Sequence, residues 1–568
     1  MRFKIELLRM KVNIVATILF CLHITGLGAQ HQDELMSILE KELEREMVSF
    51  KKASTPLYFL EYRVEDINNV YIHTSFGSLI RSDGHRSRTL VTRVKVGDYQ
   101  FDNTHPVKRG GVYVPPYRFS SPAPLPLEND TIAIQWALWN SAQNGYRQAL
   151  TAYNRVKGNA PGTSGQAPDF SKEQPSVFYE APLNVNPGDK KVWEDQMKKY
   201  SALFLKNPDI MSGDADFRFM IARQHLMSNE GTRVAQNLTY AYLNISASIR
   251  TEDGDIVPLH LSYFGFLPTE LPSETIITRD IEAMIGKLAK LRTAPLAEPY
   301  TGPAILQAQA AGVFFHEIFG HRVEGHRLKS EADGQTFKAK IGELVLPKSM
   351  NIVFDPTLTH YQGQPLNGFF KYDDEGVKSR RVNVVEKGIL KTFLMSRTPL
   401  EDIKNSNGHG RASAESEVVS RQSNLIVETG GGVSSEDLRK MLIKECQKQG
   451  KPYGYFFKDV VGGFTFTDRF TPNAFNIFPT EVYRVYVDGR PDELVRGVDL
   501  IGTPLAMFAE IQAAGKDPGV FTGFCGAESG SVPVSAVSPS LFVRRIETQK
   551  KVKRNEEGTL LSRPSDNK

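Results

Sequence analysis

Cysteine is scarce in this chain: there are three in 568 residues, and only Cys446 and Cys525 lie beyond the N-terminal region. This number excludes a small disulfide-rich scaffold and leaves room for one disulfide or for a metal-bound thiolate. An excess of one charge is also lacking, because 69 basic residues face 65 acidic residues. A nearly neutral chain gives no electrostatic argument for binding nucleic acid. With 40% hydrophobic and 24% charged residues, the composition is that of a globular protein.

Long apolar runs are lacking except near the N-terminus, where residues 12–22 form one. Basic residues up to Lys11 precede this run, and small residues ending at Ala29 follow it. This order is typical of a secretory signal peptide over residues 1–29, and it predicts a protein exported to the periplasm or the cell exterior. The alternative is an uncleaved membrane anchor, but the run is shorter than the ~20 residues that a span needs. We expect no stable membrane span elsewhere.

Hydrophobic periodicity predicts both helices and strands along the chain. The predicted helices cover residues 33–52, 131–157, 192–205 and 437–448. The first predicted strands cover residues 58–64, 70–72 and 89–96, with a turn at Asp83-Gly84. Further strands are predicted over residues 217–266, with turns at Gly231 and Gly254. A proline cluster near residues 295–303 marks a break between two halves of the chain.

Three of the 12 histidines fall within eleven residues, at His316, His321 and His326. An apolar, helix-compatible segment leads into His316 and the adjacent Glu317. This resembles the zinc-peptidase arrangement in which two helical histidines bind the metal and a glutamate acts as general base. A spacing of five residues separates two side chains by about 140° on a regular helix. Both histidines can therefore reach one ion only if the helix bulges or ends between them, and Gly320 is the residue where this costs least.

A catalytic zinc site needs a third protein ligand and one open position. Glu324, His326 and Cys525 are the candidates. Cys525 lies in a glycine-flanked segment that would let a thiolate approach an ion closely, whereas Glu324 and His326 lie near the motif in sequence. The chemistry of the residues alone leaves the choice among the three open.

The motif and its surroundings resemble the TldD/PmbA family, known as modulators of DNA gyrase. The matching segments are His316-Glu317-Ile318-Phe319-Gly320-His321 with Glu324-Gly325, Tyr372-Asp373-Asp374-Glu375-Gly376, Lys387-Gly388-Ile389-Leu390, Asn407-Gly408-His409-Gly410-Arg411 and Cys525-Gly526. They follow one another in the order of the family, and the resemblance covers roughly residues 30–545. This combination is far more specific than the histidine–glutamate pair alone.

The resemblance implies that His316, His321 and Cys525 bind Zn²⁺ and that Glu317 is the general base. It also implies an α+β fold in two parts, an α/β N-terminal domain over residues 30–292 and a largely β metallopeptidase domain over residues 293–549. A polar tail over residues 550–568 would follow. Family members cleave small or unfolded polypeptides and often pair an active subunit with one that lacks the motif. This chain keeps the motif and resembles the active TldD-type subunit, so we expect a homodimer or a heterodimer with a paralogue.

Five further residues have expected or open roles. His409 and Arg411 lie between glycines, where they would bind a substrate carboxylate or the tetrahedral oxyanion; a purely structural loop is the alternative. Glu324 would either support a zinc-binding histidine or cap a helix. Arg322 and His326 place bulky basic groups where the family pattern has a small and an acidic residue, and no role is assigned to them.

These features predict an exported zinc-dependent endopeptidase in which Glu317 deprotonates a metal-activated water. Two alternatives remain: a non-catalytic zinc-containing subunit that binds or chaperones peptides, and a zinc amidohydrolase of cell-wall peptides. The expected partners are peptide or unfolded polypeptide substrates, and no nucleic acid.

Overall fold

The computed structural model describes residues 33–109, 112–114, 122–159, 167–185, 189–414, 416–470 and 474–551. The predicted signal peptide and nearly all of the predicted polar tail lie outside the described residues. Within them the fold is mixed α+β, as predicted. The α-helices are α1 (Glu34–Phe50), α2 (Thr131–Asn159), α3 (Lys190–Ala202), α4 (Glu274–Thr293), α5 (Ala308–Ile318), α6 (Ser435–Lys448) and α7 (Pro504–Ala509).

The strands are distributed over both halves of the chain. They are β1 (Leu57–Ser75), β2 (Ser78–Val96), β3 (Val107–Arg109), β4 (Val112–Val114), β5 (Ala123–Pro124), β6 (Val177–Tyr179), β7 (Ile210–Ser228), β8 (Arg233–Arg250), β9 (Ile256–Gly265), β10 (Thr301–Leu306), β11 (Met350–Phe354), β12 (His360–Tyr361), β13 (Gln364–Pro365), β14 (Val382–Glu386), β15 (Ile389–Leu390), β16 (Gly410–Arg411), β17 (Val419–Ser420), β18 (Asn424–Thr429), β19 (Tyr453–Thr465), β20 (Phe475–Tyr486), β21 (Glu493–Val495), β22 (Val498–Gly502), β23 (Ile511–Ala514), β24 (Gly519–Ala527), β25 (Gly530–Ser538) and β26 (Leu541–Lys550).

The N-terminal half is built on one large sheet with the strand order β5-β2-β1-β7-β8-β6, in which β9 also pairs with β8. Its long strands form the antiparallel hairpins β1–β2 and β7–β8. Side chains of a strand alternate between the two faces of a sheet. One face of the sheet is apolar and packs against helices. Tyr62 and Val64 belong to a hydrophobic cluster with α1 and α2, and Phe217 belongs to a second cluster with α3 and α4. The opposite face carries charged residues such as Arg63 and Arg93.

The β1–β2 hairpin turns at Phe76-Gly77, so the predicted turn at Asp83-Gly84 is wrong. Phe76 and Gly77 have φ values of 45° and 81°, the pair of positive values that a two-residue hairpin turn requires. Gly84 instead lies inside β2, opposite Val70. Continuous pairing of β1 with both β2 and β7 overrides the local turn signal. The turns predicted at Gly231 and Gly254 are confirmed.

The C-terminal half contains two larger sheets that pack around α5. One has the order β10-β19-β20-β22-β26-β23, and the other has the order β15-β14-β11-β18-β25-β24. Helix α5 contacts β19 and β20 of the first sheet and β24 and β25 of the second. Nearly all of its residues are buried. A helix that is apolar on all sides is stable only inside such a core, so the packing explains why this short segment is helical.

Buried ion pairs join the two halves of the molecule. Arg93 on β2 bonds to Glu61 on β1, and it also donates to Glu375 in the C-terminal half over 2.6 Å. Next to this pair, Gln224 on β7 donates to Asp374 over 2.6 Å. A buried charge is costly unless it is paired. These contacts therefore determine how the N-terminal sheet lies on the acidic turn that contains Asp374 and Glu375.

The four predicted helices are confirmed, with ends displaced by a few residues. Cys446 and Cys525 are both unbonded and buried, so they form no disulfide with each other. None of the helices among the described residues is both long enough and apolar enough to serve as a membrane span.

Two glutamates on α1, Glu42 and Glu46, are buried. The Tyr62 hydroxyl donates to Glu46, and the other Glu46 carboxylate oxygen has no hydrogen bond, although the Arg45 guanidinium lies 3.8 Å away. Burial, reinforced by repulsion from Glu42, raises the pKa of Glu46 from its ordinary value of 4.5 to about 7. Between these pH values the native state binds more protons than the unfolded chain, so stability falls as the pH rises.

We expect Glu46→Gln to raise the free energy of unfolding by roughly 1–3 kcal/mol above pH 7, where the wild-type carboxylate is charged. The gain should vanish below about pH 4.5, where the wild-type group is neutral in both states. Denaturant unfolding at a series of pH values measures this. The exposed Glu44 on the same helix supplies the control, and Glu44→Gln should leave the pH profile unchanged. Parallel profiles for wild type and Glu46→Gln would contradict the assignment.

Candidate metal centre

The helix that carries the motif ends between the two histidines. Helix α5 stops at Ile318, Phe319 departs from helical geometry with φ −119° and ψ −53°, and a 3₁₀ turn spans Gly320–Arg322. His316 thus lies on the last turn of α5 and His321 on the following 3₁₀ turn. The two imidazole ring centres are 5.0 Å apart. The break brings together two side chains that a continuous helix would hold apart.

Glycine is required at position 320 by a close approach. A Cβ atom there would lie 1.8 Å from Oε1 of Gln422, and the Gln422 amide in turn donates to the carbonyl of His316 over 3.3 Å. Arg322 holds the same helix end from the other side, because its guanidinium donates to the Glu317 carbonyl over 2.8 Å. The basic residue at 322 therefore satisfies a backbone carbonyl that the end of the helix leaves free.

The third residue of the site, Cys525, lies on β24, 204 residues after His321. Cys525 Sγ lies 3.3 Å from His321 Nε2. One ligand atom from each of His316, His321 and Cys525 falls within a group whose members are all within 4.8 Å of one another. All three residues are at most 9% exposed. The structure thus brings together the three residues that the family resemblance implies as zinc ligands.

Electrostatics at the site favour the ionised thiol. Burial opposes the thiolate, but attraction to His321 and His316 outweighs it and holds the pKa of Cys525 well below its usual range. A thiolate is the form that binds metals. Because the thiol loses its proton readily, metal binding at this cysteine would require little additional energy for deprotonation.

Glu317 points into the same space without a hydrogen-bonding partner of its own. Its Oε2 atom lies 3.9 Å from His321 Nε2, is buried, and has no hydrogen bond. Burial raises the pKa of Glu317, and attraction to the two histidines only partly offsets this effect. Strand β19 closes the site here, because a Cβ atom on Gly463 would lie 2.9 Å from Glu317 Cγ. A carboxylate with a raised pKa and a free oxygen is suited to accept a proton from water.

Glu324 supports His321, which is one of its two predicted roles. Its Oε2 atom lies 3.3 Å from His321 Nδ1, so the opposite ring nitrogen faces Cys525. Arg327 donates to the same oxygen over 2.8 Å. Burial opposes ionisation of Glu324, but attraction to His321 and Arg327 lowers its pKa to about 2. The side chain makes no helix-capping hydrogen bond. A carboxylate behind a metal-binding histidine fixes the orientation of its ring.

His326, the remaining third-ligand candidate, is engaged elsewhere. Its Nε2 atom bonds to Glu528, which also accepts from Arg327 over 2.9 Å. Glu324 faces the far side of the His321 ring. The geometry therefore favours Cys525 as the third ligand among the three candidates.

The side chains of His409 and Arg411 are enclosed in the fold, and neither has the open approach that the predicted substrate contact requires. His409 is fully buried and lies 3.1 Å from the Ser423 hydroxyl. Burial lowers the pKa of His409 to about 3, so it is neutral. Arg411 donates to the carbonyls of Gln422 and Pro533 over 2.6 and 2.7 Å. The observed contacts correspond to the alternative reading, a structural loop behind the site.

The sequence reasoning missed the arginines that surround Glu324. Arg327 donates to the carbonyl of His321, and Arg421 donates to the carbonyl of Cys525 over 2.6 Å. Arg327 lies six residues after His321, so a charged residue this close to the motif could have been predicted to pair with a carboxylate near the site. Arg421 has no sequence signal, because its partners lie about 100 residues away on both sides.

The residues present fit a zinc ion. Two imidazoles and one thiolate form a set of three ligands of the types that Zn²⁺ takes in proteins, and catalytic zinc sites use three protein ligands. The unpartnered carboxylate oxygen of Glu317 next to this set matches the position of a general base in such sites.

The chain is similar to known proteins in its sequence. The sequence profile of the PmbA/TldA metallopeptidase C-terminal domain matches residues 299–550. A metalloprotease of Methanocaldococcus jannaschii is 27% identical over 333 residues, which are 57% of this chain and 67% of that protein. A protein of Saccharolobus solfataricus named zinc metalloprotease TldD homolog is 24% identical over 372 residues, which are 64% of this chain and 77% of that protein.

The fold extends the similarity over the N-terminal half. The crystal structure of TldE from Thermococcus kodakarensis matches 90% of this chain and 100% of its own, with a TM-score of 0.60 and 14% sequence identity. At this identity the match concerns the fold alone. The C-terminal half of the chain is thus similar in sequence to TldD/PmbA metallopeptidases, and the chain shares the fold of TldE over 90% of its length.

Proposed function

We propose that this protein is an exported zinc-dependent endopeptidase that hydrolyses small or unfolded polypeptides. The observation that carries the proposal is the Glu317 carboxylate, whose Oε2 atom is buried without a hydrogen bond next to the His316, His321 and Cys525 group. Metalloprotease relatives support the reaction class. Export rests on the order of residues in the N-terminal segment.

In the proposed reaction the metal and the protein side chains have different roles. Zn²⁺, when bound by His316, His321 and Cys525, would polarise the scissile carbonyl and acidify a water molecule. Glu317 would take the proton of the attacking water and deliver it to the leaving amine. Glu324 would keep His321 in the tautomer that presents Nε2 to the ion. Strand β19, packed against Glu317 at Gly463, would shield the carboxylate from bulk water.

The substrate class and the partner follow from family resemblance. Relatives include proteins named TldD homologs, and a TldE structure shares the fold. We propose a dimer, either with a second copy or with a paralogue that lacks the motif. The alternatives are a zinc-containing peptide-binding subunit and a zinc amidohydrolase of cell-wall peptides, and product analysis distinguishes them.

The first prediction concerns metal content. We expect about one zinc ion per chain in the purified protein, because three ligands and one open position make one site. Cys525→Ala should lose most of this zinc at equal chelator concentration, since it removes the thiolate. Elemental analysis after gel filtration measures both. The matched control is Cys446→Ala, which removes a buried thiol on α6, far along the chain from the motif, and should keep its zinc. Zinc retained in Cys525→Ala would exclude the proposed third ligand.

The second prediction concerns the general base. Glu317→Gln should retain zinc but lose peptide cleavage by roughly 10²–10⁴-fold, because the amide cannot accept the proton. Mass spectrometry of the products from an unstructured polypeptide and from peptidoglycan peptides gives the rate and the bond cleaved. Glu436→Gln, at an exposed position on α6, should cleave like the wild type.

Cleavage by Glu317→Gln at the wild-type rate would remove Glu317 from its role. A zinc-loaded wild type that cleaves neither substrate would favour the peptide-binding alternative. Products from the peptidoglycan peptides alone would favour the amidohydrolase.

A further inference from the structure

Arg421 lies at the centre of a fully buried polar cluster directly behind the candidate metal ligands. The residue has no exposed surface. Its guanidinium donates from Nη2 to the carbonyl of Cys525 over 2.6 Å. From Nη1 it donates to the hydroxyl of Ser529 over 2.7 Å and to the carbonyl of Gly530 over 3.0 Å. One side chain thus holds both strands of the β24–β25 hairpin close to its turn, next to the cysteine on β24.

The same guanidinium also faces the histidine side of the site. Its Nε atom lies 3.3 Å from Oε1 of Glu324, an ion-pair separation without the alignment of a hydrogen bond. The other oxygen of Glu324 lies 3.3 Å from Nδ1 of His321. A continuous path therefore runs from the Cys525 backbone through Arg421 and Glu324 to His321.

We propose that Arg421 is a positioning residue that keeps Cys525 in register with His321, so that both present their ligand atoms to one ion. The proposal deepens the proposed zinc site and rests on it. His321 and Cys525 come from different elements, the 3₁₀ turn after α5 and the β24 hairpin, and no covalent link joins them. An arginine presents five donors in one rigid plane, whereas a lysine presents a single ammonium group. Only arginine can reach the two carbonyls, the hydroxyl and the carboxylate together.

Two features separate this role from general packing. The carbonyl that Arg421 holds belongs to a candidate ligand residue itself, and the carboxylate it faces contacts another candidate ligand. Arg397 is a suitable comparison, because it is equally buried but bonds to the Ser171 carbonyl and to Glu230 at the junction between the two halves. Loss of either arginine leaves buried acceptors unpaired, which should destabilise the fold by a similar mechanism. Only the loss of Arg421 should alter the metal site.

The experiment compares Arg421→Met and Arg421→Lys with Arg397→Met and Arg397→Lys in the full chain. Competition with a chromophoric chelator gives the zinc affinity, and Co²⁺ substitution reports on thiolate coordination through the near-ultraviolet charge-transfer band. We expect Arg421→Met to weaken zinc binding roughly 10–100-fold, the usual range for groups that orient metal ligands, and to weaken the cobalt–thiolate band. Arg421→Lys should lie between wild type and Arg421→Met. Both Arg397 variants should retain wild-type affinity and spectrum while losing thermal stability.

A second readout does not depend on metal. In metal-free protein, alkylation of Cys525 followed by peptide mass spectrometry should be faster in Arg421→Lys than in wild type or Arg397→Lys, because the hairpin is released. If the wild type binds no zinc, the zinc site fails, and the alkylation rates still decide whether Arg421 positions the cysteine. Unchanged zinc affinity, cobalt spectrum and alkylation rate in Arg421→Lys would overturn the assignment. Arg421→Lys keeps the buried charge, so the comparison can still be made if Arg421→Met does not fold.

Discussion

The structure depends on mutual neutralisation of charges in a site almost closed to water. A buried ion costs several kcal/mol unless a partner of opposite charge is placed beside it. Here the Cys525 thiolate faces His321, and the carboxylate of Glu324 faces the other side of the same ring. Arg327 and Arg421 complete the series around Glu324. Each group is tolerated in the interior because its neighbour is present, so the loss of one member weakens the interactions of the others.

The fold supplies this arrangement by placing a largely apolar, buried helix between two sheets. Helix α5 cannot be stable alone, and its packing against β19, β24 and β25 brings the motif to the hairpin that carries Cys525. The N-terminal sheet adds a further constraint through the acidic turn. Asp373 and Asp374 accept backbone hydrogen bonds from Gly410 and Ala412, which lie in the loop behind the site. The acidic turn at the junction of the two halves therefore also holds the backbone of the loop behind the site.

Most regular elements were predictable because their signals are local. The four helices follow from apolar residues at helical spacing, and the glycines at 231 and 254 lie at positive φ in tight turns. Asp83-Gly84 carries an equally good turn signal, but pairing along a 19-residue strand places it inside β2. His409 and Arg411 have the residue types of a substrate site, and only their burial shows that they face inward. The position of Arg421 beside the site could not be predicted from the sequence, because its partners are distant along the chain and a single arginine forms no periodic pattern.

The sequence by itself determined the local chemistry of the centre: an apolar helix, a histidine–glutamate pair at its end, a second histidine five residues on, and a glycine where the helix must stop. The residue types left Cys525, Glu324 and His326 open as the third ligand, and the family resemblance implied Cys525. Only the tertiary structure supplies the geometry that favours Cys525. Cys525 faces Nε2 of His321, Glu324 faces Nδ1 on the far side of the ring, and His326 bonds to Glu528. The tertiary structure also places Arg421 beside Glu324. The physical reason is separation along the sequence. Helical spacing relates residues within about four positions, whereas contacts between residues 100 to 200 positions apart depend on how the sheets pack around α5.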